Sequence, residues 1–404
     1  MKQQLFTRLE DGYEEMIKLR RDFHMYPELS FQEVNTAKKI AEYQENLGLE
    51  VQRNVGGHGV VATLRGKYPG KTIAVRADFD ALPIQEENDV PYKSMNPGVM
   101  HACGHDAHTA IALGLSKALV AMKDEIAGDV VFIHQHAEEE DPGGAKPMIE
   151  AGALDGVDVI FATHMENYIP VDHLLYSENF ILGACDDFTI EIIGSGGHGA
   201  FPQDTVDVIA LGAQLISNLH QITSRKVDPL KSAVLSIGSF HGGEAANVIP
   251  ERAILKGTIR TFDEDVRQGM YEWLKTITSH TCQAFGATHE LDYMFGYPAT
   301  KNDPVITKLL VDASKEVLPV MNIQEMQPNM GAEDFSYFLQ NVPGTYFFTG
   351  SANEEKGFIY PYHHPKFDID EKALLNGAKV IVSSMVDYWN TYNTLLKDTG
   401  SPNN

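Results

Sequence analysis

Asp129-Val-Val-Phe-Ile-His-Gln-His-Ala-Glu-Glu-Glu-Asp141 decides how this chain is read. Val130–Ile133 is a short, mostly β-branched apolar run, the pattern of a strand buried on both faces. Four acidic residues, Glu138–Asp141, follow it. Before it, Ile111, Leu115, Ala118, Leu119 and Met122 form a helical stripe within 107–122, and after it comes a second buried-type run, Val157–Ala162. Gly59–Leu64 and Thr72–Arg76 are further short runs flanked by Gly and Pro. Strands alternating with helices predict an α/β fold with a doubly wound, mainly parallel sheet. Such open sheets gather ligands beyond the carboxyl ends of their strands, where the acidic run falls.

Working outward, residues 6–47 read as helices interrupted at Met25-Tyr26-Pro27. The middle of the chain breaks the rhythm. Phe188–Ile193 reads as a strand, Val206–Ile222 as a helix, Ala233–Phe240 and Ala253–Arg260 as strands, Asp263–Phe285 as a helix and His289–Phe295 as a strand. The order β-α-β-β-α-β is that of a ferredoxin-like α+β layer. It predicts an inserted domain over 184–297, with 1–183 and 298–404 forming one discontinuous domain. The first pattern then resumes with a helix from Asp303, strand Thr345–Thr349 and a helix over Leu374–Leu395. Thr399–Asn404 reads as a loose tail.

At 404 residues the chain is long enough for two cores. Its 32 basic and 56 acidic residues leave a formal charge of −24, which argues against nucleic acid or an anionic membrane as partner. Three cysteines, Cys103, Cys185 and Cys282, are too few and too spread for a disulfide framework. The first 22 residues lack an apolar leader run, and nothing approaches a membrane span. A cytoplasmic location is the expectation.

Four scattered segments carry metal-binding side chains: His101-Ala-Cys-Gly-His-Asp106, Glu138-Glu139-Glu140, Thr163-His164 and His363-His364-Pro365. Cys103 and His105, two apart, can converge on one ion only from a turn or extended stretch. Gly104 permits that turn, and Asp106 is placed to N-cap the following helix. His101 with His105 is a rival pair if the helix starts early. If Glu138–Glu140 is extended, neighbouring carboxylates point to opposite faces, one toward a metal and one toward a cleft. A carboxylate beside a metal that lowers the pKa of water suits metal-assisted hydrolysis. No local rule of spacing joins the four segments.

The motifs in their order supply the link. They are Leu19-Arg-Arg-Asp-Phe-His-Met-Tyr-Pro-Glu28, Arg76-Ala-Asp-Phe-Asp-Ala-Leu-Pro83, His101–Asp106, Ala137-Glu-Glu139, Gly196-Gly-His198, Asn247-Val-Ile-Pro250, Gly257-Thr-Ile-Arg260, Gly331-Ala-Glu-Asp-Phe335 and Asp368-Ile-Asp-Glu371. Over nearly its whole length the chain resembles the aminoacylase, hippurate hydrolase and carboxypeptidase family of metal-dependent amidohydrolases. It is most similar to the branch with bacterial N-acyl-amino-acid amidohydrolases and plant auxin-conjugate hydrolases.

The resemblance implies hydrolysis of the amide bond of a small N-acyl amino acid by a homodimer joined through the inserted lid domain. It implies two divalent metal ions per subunit, manganese or zinc foremost, cobalt or nickel admissible. Cys103 would bridge them, with His105, Glu139, His164 and His363 as the other ligands. Glu138 would be general base and acid, and His198 would stabilise the oxyanion. Asn247 and Arg260 would hold the substrate carboxylate, a bidentate task that suits Arg, and Asp78 would orient a ligand.

The chain departs from the family pattern at four places. Arg76 stands where dipeptidase relatives carry a ligand His, His136 replaces a Pro, Glu140-Asp141-Pro142 replaces a Gly-rich stretch, and His364 stands where Ser is frequent. Rival readings are a dipeptidase or carboxypeptidase, an N-acetyl-diaminopimelate deacetylase, Cys103 acting as a nucleophile with His105 as base, and an inactive binding protein on the same scaffold.

Overall fold

The structure, a computed structural model, describes residues 1–398 and side chains as far as Tyr392. The segment Thr399–Asn404 lies outside the described residues. The chain divides into two compact units. The first comprises Met1–Ile181, Lys301–Gln327 and the chain from Asp334 onward; the second comprises Leu182–Thr300 and Pro328–Glu333.

The first unit is built on an eight-stranded sheet. Its four central strands, Val130–Gln135, Ile73–Asp78, Val159–Pro170 and Gly344–Ala352, run parallel in that spatial order. An antiparallel pair, Gly59–Leu64 and Glu50–Val55, extends one side, and the short strands Leu174–Tyr176 and Ile323–Glu325 extend the other. All residues of Ile73–Asp78 and Val130–Gln135 are buried, as strands covered on both faces require. The α/β, mainly parallel architecture read from the sequence is the one observed.

Helix His105–Val120 lies in the main core. The sequence stripe predicts one buried face, yet 13 of its 16 residues are buried, because other helices cover the side turned from the sheet. The Met16 side chain of helix Tyr13–Met25 lies over Gly114 of this helix, in the space a Cβ there would occupy. Arg20, fully buried, fixes the same contact by charge. It reaches Asp106 at 2.8 Å and Asp368 at 2.7 Å.

The second unit is a four-stranded antiparallel sheet in the order Ala233–Gly242, Arg252–Thr261, Ala184–Ile193, Thr288–Phe295. Helices Val208–Leu219 and Glu264–Ala284 pack on it through Leu211, Leu215, Met270 and Leu274 against Ile190, Ile192 and Leu255. Asp207 and Asp263 N-cap these helices, accepting from backbone N–H groups of their first turns. Elements and order are those of a ferredoxin-like layer.

Candidate metal centre

The central strands of the first unit run in register, with Asp78 opposite Gln135 at the ends of their strands and His164 opposite Phe348 inside theirs. Around these positions stand the segments singled out in the sequence, Thr163-His164 lying within strand Val159–Pro170. Gly104, in the left-handed region at φ 107°, turns the chain between Cys103 and His105 and is itself the N-cap of the helix. Asp106, expected to be that cap, instead sits in the first turn, where its Oδ2 accepts from Arg20 Nε and His24 Nδ1, each at 2.8 Å. Because the helix starts only at His105, His101 stays outside it. His101 packs against the His24 ring and joins no ligand group among the described residues, so the rival pair does not form.

The predicted ligands converge. Cys103 Sγ lies 3.2 Å from His164 Nε2, and His363 Nε2 lies 3.2 Å from Glu139 Oε1. His105 Nε2 is 3.8 Å from Glu139 Oε1 and 3.9 Å from Glu138 Oε2. Among the described residues five groups have donor atoms within 4.8 Å of one another, and three of them consist of predicted ligands and Glu138: Cys103–His105–His164, Cys103–Glu139–His363 and His105–Glu138–Glu139. Cys103 belongs to two of them. His363 is carried on left-handed backbone, φ 64°, with its N–H bonded to Ala102 O at 2.6 Å.

The acidic run also differs from expectation. Glu138–Glu140 is a bend instead of an extended segment, because Ala137 is left-handed at φ 51°. Glu138 and Glu139 therefore face the same centre, not opposite sides.

Around the centre a set of hydrogen bonds fixes the rings. His105 Nδ1 donates to the Asp80 carbonyl at 3.0 Å and to Asp80 Oδ1 at 3.1 Å, which leaves Nε2 for the centre. His164 Nδ1 donates to Met165 O at 2.7 Å and likewise turns Nε2 inward. Asp80 Oδ2 also accepts from Ser30 Oγ and the Glu139 N–H. Asp78 bonds His108 Nδ1 at 2.6 Å and pairs with Arg76; the residue that orients His105 is Asp80. Sequence reasoning missed Asp80 and His108. The alternation Asp78-Phe-Asp80 carried a signal for Asp80, since strand period two sends both carboxylates to one side.

The electrostatics ask for a cation. Burial, then the Glu139 and Glu138 carboxylates, push the Cys103 thiol well above its usual range. Burial lowers His105, but Asp78, Asp80 and Glu139 outweigh it and raise the imidazole to about 10. Burial foremost, then His108 and His105, holds His164 well below the usual range. Two buried atoms aimed at the centre, His105 Nε2 and Glu139 Oε1, have no hydrogen-bond partner among the described residues. Sulfur, imidazole and carboxylate donors around such atoms fit a transition-metal or zinc site.

In the second unit His198 and Val248 are cross-strand partners, and Gly199 N–H bonds Asn247 O at 2.8 Å, so His198 and Asn247 are neighbours on one exposed turn region. His198 Nδ1 accepts from the Ala200 N–H at 3.0 Å. Arg260 lies on strand Arg252–Thr261, opposite Cys185 and Val234.

Known proteins match this chain throughout. A Bacillus subtilis protein named as an amidohydrolase, YhaA, is 50% identical over 388 residues, 96% of this chain and 98% of its own. An N-acyl-L-amino acid amidohydrolase of Geobacillus stearothermophilus is 46% identical over 284 residues, 70% of this chain and 76% of its own. The crystal structure of Bacillus subtilis YXEP, described as a dinuclear metal-binding peptidase of the M20 family, superimposes with a TM-score of 0.82 at 33% identity, covering 95% of this chain and 99% of that one. Residues 74–387 match the model of peptidase family M20/M25/M40. The chain belongs to that family and is a metal-binding hydrolytic enzyme.

Proposed function

We propose that the enzyme hydrolyses the amide bond of N-acyl amino acids, releasing a carboxylic acid and a free amino acid. The observation that carries this reading is the convergence of Cys103, His105, Glu139, His164 and His363 with Glu138 beside them. The five would hold two divalent ions, Cys103 being the residue common to two of the ligand groups. When bound, such ions polarise a carbonyl and lower the pKa of water. Glu138, a buried carboxylate of the same cluster, takes the proton from the attacking water and returns it to the leaving amine. Asp80 and Met165 O hold the imidazoles of His105 and His164 in the tautomer that binds through Nε2. His198 is assigned to the oxyanion, and Asn247 and Arg260 to the substrate carboxylate. The second unit is assigned as the lid and dimerisation domain. Its edge strand Ala233–Gly242 supports pairing of two copies.

Amine release from N-acetyl- and N-benzoyl-amino acids and matched dipeptides, by metal-stripped protein with and without Mn²⁺, tests the reading. Metal-dependent release from the N-acyl compounds is expected. Release from dipeptides alone would move the enzyme to the peptidases that the family name includes. Glu138→Gln is expected to retain bound metal and lose roughly 10²–10⁴ in kcat, while Cys103→Ala loses at least one ion by elemental analysis. A Glu138→Gln protein as active as the parent would end the mechanism.

A further inference from the structure

Ala137 is an L-residue in the left-handed region, φ 51°, fully buried, and it immediately precedes Glu138 and Glu139. Few non-glycine residues sit there unless the surroundings hold them. The holding contacts are visible. Gly144 N–H bonds Ala137 O at 3.0 Å, and Ala137 N–H bonds Glu33 Oε1 at 2.8 Å across 104 residues of chain.

Glu33 is the N-cap residue of helix Val34–Asn46, yet its side chain makes no capping hydrogen bond. Glu28 does that work instead, accepting from Asn35 N and Thr36 N at 2.9 and 2.8 Å. A fully buried carboxylate in a capping position, relieved of capping, is held for another purpose. The loop that carries it grips the centre a second time, since Ser30 Oγ bonds Asp80 Oδ2 at 2.8 Å and Asp80 in turn holds His105 and the Glu139 N–H.

We propose that Glu33 is a positioning residue: its carboxylate oxygen fixes the left-handed backbone of Ala137 and thereby aims the Glu138 and Glu139 side chains into the centre. The assignment deepens the proposed function and rests on the roles given there to Glu138 and Glu139. The contact needs only a hydrogen-bond acceptor at Oε1, so the amide oxygen of Gln serves as well. Burial, with Asp80 opposite, raises the Glu33 carboxyl to about 8, in keeping with a neutral acceptor.

Three variants separate this from a general packing role. In Glu33→Ala, kcat falls about 100-fold, the cost of misplacing a catalytic group by about 1 Å, while KM stays within about twofold. The visible spectrum of its cobalt-loaded form shifts, because Glu139 moves with Glu138. Glu33→Gln keeps the parent's kcat and cobalt spectrum. Glu33→Ala combined with Ala137→Gly recovers much of the lost kcat, because glycine adopts a positive φ without a partner to hold it. If Glu33→Ala does not fold, Glu33→Asp, one methylene too short to reach Ala137 N, replaces it with the same expectation.

The proposal is overturned if Glu33→Ala matches the parent in kcat and spectrum, if Glu33→Gln loses as much as Glu33→Ala, or if the added glycine restores nothing. Failure of the catalytic reading looks different: Glu138→Gln would turn over like the parent, and the assignment of Glu33 would fall with it.

Discussion

Asp80 makes the largest difference between what the residues announce and what they do. It binds His105 Nδ1, Ser30 Oγ and the Glu139 N–H, and so ties two candidate ligands to each other. Asp80→Asn keeps the shape but replaces the charged acceptor for His105 Nδ1–H with a neutral one. Metal affinity is expected to drop about 10–100-fold, measured by competition with a chromophoric chelator; an unchanged affinity would show that the Asp80 carbonyl alone orients the ring. The candidate ligands were legible because their residue types stand in ordered motifs. Their mutual geometry was not, since Cys103 and His363 are 260 residues apart and no periodicity relates them. Ala137 was illegible for a different reason: nothing in an alanine announces a positive φ, which here is imposed by partners distant in sequence.

At the scale of elements, the buried central strands were readable because strands covered on both faces must be apolar throughout. Strand Glu50–Val55, with mostly polar and exposed residues, gave no such signal, as befits an edge. The helix His105–Val120 was readable, but not its complete burial, which depends on which other helices cover it. Helices Tyr13–Met25 and His105–Val120 are joined by His24, whose ring bonds Asp106 at 2.8 Å and Glu86 at 3.3 Å. Burial lowers His24, but those carboxylates outweigh it and raise it from 6.5 to about 9. A raised folded value means that the stabilisation is complete below pH 6.5 and is lost as pH climbs through 9. The urea midpoint is expected to fall over that window, by up to roughly 3 kcal/mol in unfolding free energy. In His24→Asn the decline should be much smaller; an equal decline would place the titration elsewhere.

For the whole molecule, Cys103, His105, Glu138, Glu139, His164 and His363 all lie in the first unit. Metal in 100-fold excess over its dissociation constant stabilises what it binds by about 2.7 kcal/mol. Hydrogen exchange with and without Mn²⁺ should therefore show added protection in strands Val130–Gln135 and Val159–Pro170, and far less in Ala184–Ile193. Equal gains in both units would argue against a centre confined to the first. The order in which the ligands emerge also matters during synthesis. At about 5–20 residues per second, roughly 13–52 s pass between translation of Cys103 and of His363. Through that interval the nascent chain carries the Cys103 thiol without His363, the last of its proposed co-ligands. On the proposed ligand assignment the site is complete only once the inserted unit has been made, because His363 is translated after it.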